Sequence, residues 1–366
     1  MSGSILGFNA GLRLGLSVVS QEIARRSATD DDALFSIYGR IFGDEAAAAN
    51  RSRGVWQYGK NPQSPDGPVI LVARADARPL GQLGTMPVSL WWADREVRAS
   101  WGIDYFVAPE AEGGGHAVEL VKTWISGVDV ALALGLSPAS YLICKRLGFR
   151  DLGEVPFFQA VLDPAAIVRR RWGVLAGAVA APVLNAVWRL RQPPRARLYR
   201  DIDVRPAGAI GPDYDALWER ARTGFAACVR RDAAYVDWKY RRAPHVSHYI
   251  LEARRGEELT GFAISRYDDY RGVRIGWIVD LFAPIGDRPT RNALLASVMT
   301  DFRQAGVVRA QMFCTSEALA ADLRHHGFFR GHSTAHLCAR PNGVSDLPTT
   351  RPGDWHVVFG DSDSNR

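Results

Sequence analysis

The chain has 366 residues, 47% hydrophobic and 23% charged, an ordinary globular balance with length for two domains and two cores. Its four cysteines, Cys144, Cys228, Cys314 and Cys338, are far apart and make no Cys-x-x-Cys or Cys/His ligand spacing, which argues for reduced thiols in a cytoplasm and against structural zinc or another metal. The formal charge of +6 is carried almost wholly by arginine, with only Lys60, Lys122, Lys145 and Lys239 as lysines, and no nucleic-acid-reading motif accompanies it, so we expect no nucleic-acid partner.

Residues 1–20 hold apolar runs interrupted by Arg13 with no small-residue cleavage site after them, and read as an N-terminal extension rather than a signal peptide. From Glu22, EIARRSA reads as a strand. Thr29 then serves as N-cap, and Asp30, Asp31 and Asp32 as the acidic first turn, of a helix carrying Leu34, Ile37, Tyr38 and Ile41. A polar loop with Trp56, Tyr58, Asn61 and Pro62 is expected next. VILVARA and LGQLGTMPVSLWW, separated by Asp76-Ala77-Arg78-Pro79, form an antiparallel meander with the strand from Arg95 to Val107, across an Ala93-Asp94 turn.

The organising stretch is WGIDYFVAPEAEGGGHA, residues 101–117. It alternates as a strand and stops at Pro109, which cannot continue a ladder. After Gly113-Gly114-Gly115, the residues Ala117, Leu120, Val121 and Trp124 recur at helical spacing. A strand, a glycine loop and a helix in that order let a ligand approach the backbone, with the N–H groups of the first helical turn pointing at it; such a turn binds anions. It is neither a Walker A motif nor a Rossmann fingerprint. Beyond it, VDVALALGL reads as a strand covered on both faces. SPASYLICKRLGF reads as a helix with Ser137 as N-cap, Pro138 first and Gly148 at the exit, and PFFQAVLD as the last strand.

The stretch resembles the central motif of the GNAT superfamily of acyl-CoA-dependent N-acyltransferases. There a strand ending in Val-x-Pro-Glu leads to an Arg/Gln-x-x-Gly-x-Gly/Ala turn that wraps the pyrophosphate of coenzyme A. Val107, Pro109, Glu110, Gly115 and Ala117 fit; Glu112 stands where the family usually carries Arg or Gln. The opening strand and helix, and the close Leu147-Gly148-Phe149, resemble that fold too.

The second half repeats the landmarks of the first. Ile23 and Arg26 pair with Ile202 and Arg205, Trp56-x-Tyr58-x-x-x-Pro62 with Trp238-x-Tyr240-x-x-x-Pro244, Trp101 and Asp104 with Trp277 and Asp280, and Gly148-Phe149 with Gly327-Phe328. The offsets are 179 (202−23), 182 (238−56), 176 (277−101) and 179 (327−148). One near-constant spacing over the whole unit indicates a duplicated domain. The resemblance thus implies an α/β (α+β) protein with two tandem GNAT-like domains, each a mixed, mostly antiparallel sheet flanked by helices. Expected bounds are 1–20 for the extension, 21–163 for the first domain, 164–200 for a linker helix, 201–342 for the second domain and 343–366 for a final strand and tail. The second loop, PIGDRPTRNA, keeps a single glycine, Gly286, and carries Pro289, which donates no N–H, so the donor site is expected in the first copy. The uncharged run 172–188 would span ~25 Å as a helix, short of the ~30 Å hydrocarbon core. It reads either as a packed linker or as a helix lying against a membrane surface, through its end tryptophans and flanking arginines.

Acyl transfer from a thioester to an amine needs a fixed donor, an oriented carbonyl and a route for the amine's proton. The resemblance implies that the backbone at Phe106 and Val107 binds the pantetheine arm and that Gly113, Gly114, Gly115, His116 and Ala117 hold the diphosphate. Asp104 reads as the general base, or as a structural aspartate, since Asp280 repeats it. The general acid is expected at Cys144, where the family carries a tyrosine, or at Tyr141 one turn earlier. The expected activity is acyl transfer from acetyl-CoA or another acyl-CoA to a small amine or amino sugar bound between the copies. The alternatives are a degenerate acyl-CoA-binding or interaction protein and, more distantly, a Fem-type transferase using aminoacyl-tRNA, whose coiled-coil arm this sequence lacks.

Overall fold

The computed structural model describes residues 21–67, 69–173, 199 and 201–363. The expected extension 1–20 and most of the expected linker helix lie outside the described residues. The first half runs β1 (Gln21–Arg25), α1 (Asp31–Phe42), α2 (Asp44–Gly59), β2 (Ile70–Ala75), β3 (Arg78–Trp92), β4 (Arg95–Val107), α3 (His116–Ser126), β5 (Val130–Leu134), α4 (Pro138–Arg146), β6 (Arg150–Glu154) and β7 (Phe157–Val161). After α5 (Pro164–Trp172) come β8 (Asp203–Pro206), α6 (Pro212–Ala221), β9 (Ala227–Val229), α7 (Ala233–Val236) running into a π turn (Asp237–Arg241), β10 (Tyr249–Arg255) and β11 (Glu258–Tyr270). The chain continues with β12 (Val273–Phe282), α8 (Arg288–Gln304), β13 (Arg309–Phe313), α9 (Glu317–His325), β14 (Phe329–Arg330), β15 (His336–Pro341) and β16 (Trp355–His356).

Local chemistry explains the boundaries. Asp76 and Ala77 take positive φ (47° and 65°) to join β2 to β3, as a two-residue hairpin turn requires. Ser137 Oγ accepts the Ser140 amide at 3.3 Å, and Pro138 opens α4. The first helix is entered through Ser27 instead of Thr29: the Ser27 amide donates to Asp30 Oδ2 at 2.7 Å, and that carboxylate also takes Arg74 Nη2 at 2.6 Å.

The expected polar loop before β2 is largely the helix α2. Asp44 and Glu45 suit its first turn and the following alanines are strong helix formers. Its inward face is polar, with Asn50, Arg53 and Gln57 buried beside Trp56 and Tyr58, so a search for apolar periodicity passes over it.

Two mixed, mostly antiparallel sheets result, in the orders β1-β2-β3-β4-β5-β15-β6 and β8-β10-β11-β12-β13-β7-β14. The two orders match position for position, but each half lends a strand to the other. PFFQAVLD, the last strand expected for the first half, pairs with the second sheet, from Phe157↔Phe313 to Val161↔Arg309. In return β15 sits between β5 and β6. The far end of β3 also pairs with β9, which carries β16 on its other side. One core cluster therefore draws on both halves, joining Trp56, Trp92 and Trp101 to Trp218, Trp238 and Trp355. Neither half can bury its apolar surface without the other.

Candidate active site

β4 and β5 run parallel and pair over three residues only, Ala99↔Val130 to Trp101↔Leu132. Past Trp101 they diverge, and the gap opens into a cavity of about 800 Å³. Its walls come from β4 (Gly102 to Val107), the glycine loop, the start of α4 (Ala139, Ser140, Ile143), and Tyr38, Ile41 and Phe42 of α1. Phe106 anchors that last wall, edge-on to Tyr38 and Phe42 with centroids at 5.4 and 6.4 Å.

The loop closes the cavity with main chain. Gly113 and Gly115 take φ of 80° and 83°, and a Cβ at either would meet nothing within 4 Å, so the backbone stands open on that side. The Glu112 amide bonds to Pro109 O and that of Gly114 to Ala111 O, both at 3.3 Å. Among the described residues, the amides of Gly113, Gly115, His116 and Ala117 donate to no main-chain carbonyl, and no side chain caps α3. This is a helix entrance with open donors. Of the residues expected at the donor, Phe106, Val107, Gly113, Gly115 and Ala117 line the cavity. Gly114 and His116 lie behind it: the imidazole is 7% exposed, crowds Gly114, and leaves Nδ1 without a partner. Glu112 is exposed on the wall, while its neighbour Glu110 pairs with Arg40 at 3.0 Å.

Asp104 also lines the cavity, at a bulge where the register steps from Gly84↔Ile103 to Gln82↔Phe106 and its own φ is 46°. Its carboxylate is tied down by α2. Oδ1 accepts Asn50 Nδ2 at 2.9 Å and Arg53 Nη2 at 3.3 Å; Oδ2 accepts the Tyr58 hydroxyl at 2.6 Å and Gln57 Nε2 at 3.5 Å. Burial, and then the Asp104 charge, push the Tyr58 hydroxyl well above its ordinary range, so it stays a donor. Four donors in fixed geometry make Asp104 the pin of the bulge.

The two residues expected as general acid lie elsewhere. Cys144 is buried in the core with Leu120, Trp124 and Phe149, where burial pushes its thiol up to about 12. The Tyr141 hydroxyl donates to Asp151 Oδ2 at 2.7 Å, and Asp151 also meets His336 Nδ1 at 3.0 Å. The face of α4 that lines the cavity carries Ala139, Ser140 and Ile143. Tyr141 and Cys144 occupy the face turned to the sheet and β15, so helical phase corrects that expectation.

Reading the sequence missed Asp363, which lines the same cavity. The route to it passes through the second sheet. There β12 and β13 also pair over three residues, Ile275↔Arg309 to Trp277↔Gln311, and then part. This second gap is filled by the chain itself: Cys314 bridges Val358, the Gly360 amide donates to Val279 O at 2.9 Å, and Phe359 stacks between Trp277 and Phe313. Below it, Arg231, fully buried, ties Asp361 at 2.7 Å to Asp280 at 3.2 Å. The entrance of α8 is closed as well, since the Asp287 side chain accepts the Thr290 amide at 3.1 Å and pairs with Arg255 at 2.7 Å. The signal in the sequence is the Trp355–Asp363 stretch itself, WHVVFGDSD, which sets aromatic and apolar residues before two aspartates at the end of the expected final strand and tail.

No protein-family model matches the chain, and no curated protein matches it. Solved structures do. A probable N-acyltransferase from Enterococcus faecalis aligns with a TM-score of 0.60 at 11% identity, over 88% of this chain and 73% of that one. A GCN5-related N-acetyltransferase from Anabaena variabilis gives 0.58 at 15% identity, with the same two coverages. The fold is the GNAT fold. Within it, the yeast (Saccharomyces cerevisiae) N-myristoyltransferase, solved with bound myristoyl-CoA, aligns at 0.54 and 10% identity over 87% of this chain and 82% of that one. At these identities the likeness is one of fold. In this GNAT-fold chain both sheets carry the parting strands, and the first gap is open where the second is filled. Among the described residues no helix is long and apolar enough to cross a membrane.

Proposed function

We propose that the protein is a cytoplasmic acyl-CoA-dependent N-acyltransferase, built by duplication, with one donor site, in the first half, and a small amine such as an amino sugar as acceptor. The observation that carries this reading is the contrast between the two gaps: open main-chain amides face the first cavity, while the second is closed by the 355–363 segment and the Asp287 cap. The pantetheine arm would lie along the free edge of β4 at Phe106 and Val107, with the diphosphate at the open amides of Gly113, Gly115, His116 and Ala117. The amine nitrogen attacks the thioester carbonyl, its proton passes to the Asp363 carboxylate directly or through water, and the C–S bond breaks. The thiolate takes its proton from solvent, because the lining includes no cysteine or histidine and its two tyrosines, Tyr38 and Tyr105, stand in the aromatic wall and against Ala117 O.

Calorimetric titration with acetyl-CoA and a longer acyl-CoA, followed by thiol release on a panel of amines, tests the reading. We expect saturable binding and turnover, both lost in Gly115→Glu. No binding to the wild type removes the donor assignment. A second reading, an acyl-CoA-binding protein without turnover, is favoured by one observation: the cavity lining offers no Cys, His or Lys to protonate a departing thiolate. Binding without thiol release on any amine would select it.

A further inference from the structure

We propose that Lys239 is a positioning residue, one that latches the 355–363 segment so that Asp363 stands in the first-half cavity; this rests on the acyltransferase reading above. Lys239 lies in the π turn and is 3% exposed. Its Nζ donates to the Ser362 carbonyl at 3.0 Å, one residue before Asp363, and to Met86 Sδ of β3 at 3.3 Å. The ammonium stands 5.9 Å from the Trp56 ring centre and 5.5 Å from that of Trp238, the two tryptophans that join the halves. A cation held between aromatic faces and a carbonyl is a fixed point, and the segment is threaded past it.

The repeat gives an internal control. The position matching Lys239 in the first half is Gln57, at the same spacing of 182 (239−57) as the flanking Trp56 and Trp238. Gln57 turns to Asp104 and to Arg53, whose Nε donates to its Oε1 at 2.8 Å. One helical position thus serves the bulge in the first half and the threaded segment in the second. The charged groups facing Lys239 are Asp361 and Asp363 of the segment, which favour the ammonium, and Arg53 of α2 and Arg231 before α7, which oppose it. Burial dominates and brings the lysine down to about 8. The latch therefore weakens as pH rises through that value, because the neutral amine loses its attraction to both carboxylates and both ring faces.

The test is hydrogen exchange of residues 357–361, expressed as protection so that intrinsic pH effects cancel, in the wild type, Lys239→Met and Gln57→Met, beside steady-state kinetics. We expect Lys239→Met to lower protection of that segment by about tenfold or more while β12 stays protected, and Gln57→Met to leave the segment unchanged. Turnover should fall by about tenfold with the donor KM within about twofold, and the wild type should lose turnover and segment protection together between about pH 7 and about pH 9. Unchanged protection in Lys239→Met overturns the latch. Loosening in that variant, with a wild type that acylates no amine, would leave the latch standing and remove the acyltransferase reading.

Discussion

Trp56 and Trp238 each donate the indole N–H to the other's main-chain carbonyl, at 2.8 and 3.2 Å, with their rings stacked at 5.4 Å. The exchange makes a near two-fold relation between the halves at their point of contact, and strands β7 and β15 cross over on either side of it. Trp56→Ala should therefore cost about 3–5 kcal/mol, the range for truncating a large buried aromatic. Because the halves share one core, urea unfolding should stay a single transition in the wild type and in this variant, followed by fluorescence and circular dichroism together. Two separated transitions would show that the halves unfold as independent units.

That Trp56 and Trp238 hold equivalent places was legible in the sequence because their spacing matched that of the other repeated landmarks; their contact was not, since a repeat does not say how its copies pack. The strand–glycine loop–helix unit was legible too, since proline, glycine and a change of period each mark a boundary. What was hidden has physical causes. α2 was invisible because its buried face is polar, a surface shaped for the Asp104 carboxylate. The strand exchange was invisible because β7 has the same apolar alternation whichever sheet receives it. Asp363 was invisible because its place depends on a segment threaded through the other half, a contact no local pattern encodes.

Asp363→Asn should lower turnover by about a hundredfold or more, the usual share of a general base, and leave acyl-CoA affinity within about twofold. Tyr141→Phe should leave turnover unchanged, since its hydroxyl serves Asp151 outside the cavity. Cys144→Ser should also leave turnover unchanged while lowering stability by about 1–3 kcal/mol, the cost of burying a hydroxyl in an apolar cluster. Thiol-release kinetics with thermal unfolding separate these outcomes.

Glu112→Gln should tighten acyl-CoA. An exposed carboxylate ~4 Å from a phosphate costs ~1 kcal/mol in water, which is roughly fivefold in affinity. The gain should shrink as ionic strength rises, because exposed charges are screened. Titration at low and high salt measures it. An affinity indifferent to the substitution would mean that the diphosphate does not sit at this loop.

Lys239 also sets a pH window for stability, with a sign opposite to its effect on turnover. Its ordinary value of 10.5 falls to about 8 in the folded protein. Below about 8 both states hold the proton and the fold carries a buried charge; between about 8 and about 10 the folded chain has released it and the unfolded chain has not. Taken alone, Lys239 therefore contributes stability that rises with pH across that window. The four buried cysteines, whose thiols burial raises from 9.0, pull the other way through the same range, and above about 10 the buried Tyr58 and Tyr240 hydroxyls join them, because the unfolded chain ionises these groups and the fold does not. Stability should therefore fall with pH more steeply in Lys239→Met than in the wild type between about 8 and about 10, as read from urea midpoints across the range. A difference between the two profiles that appears through the same titration in which the wild type loses turnover would locate both effects in one ammonium, and parallel profiles would overturn that assignment.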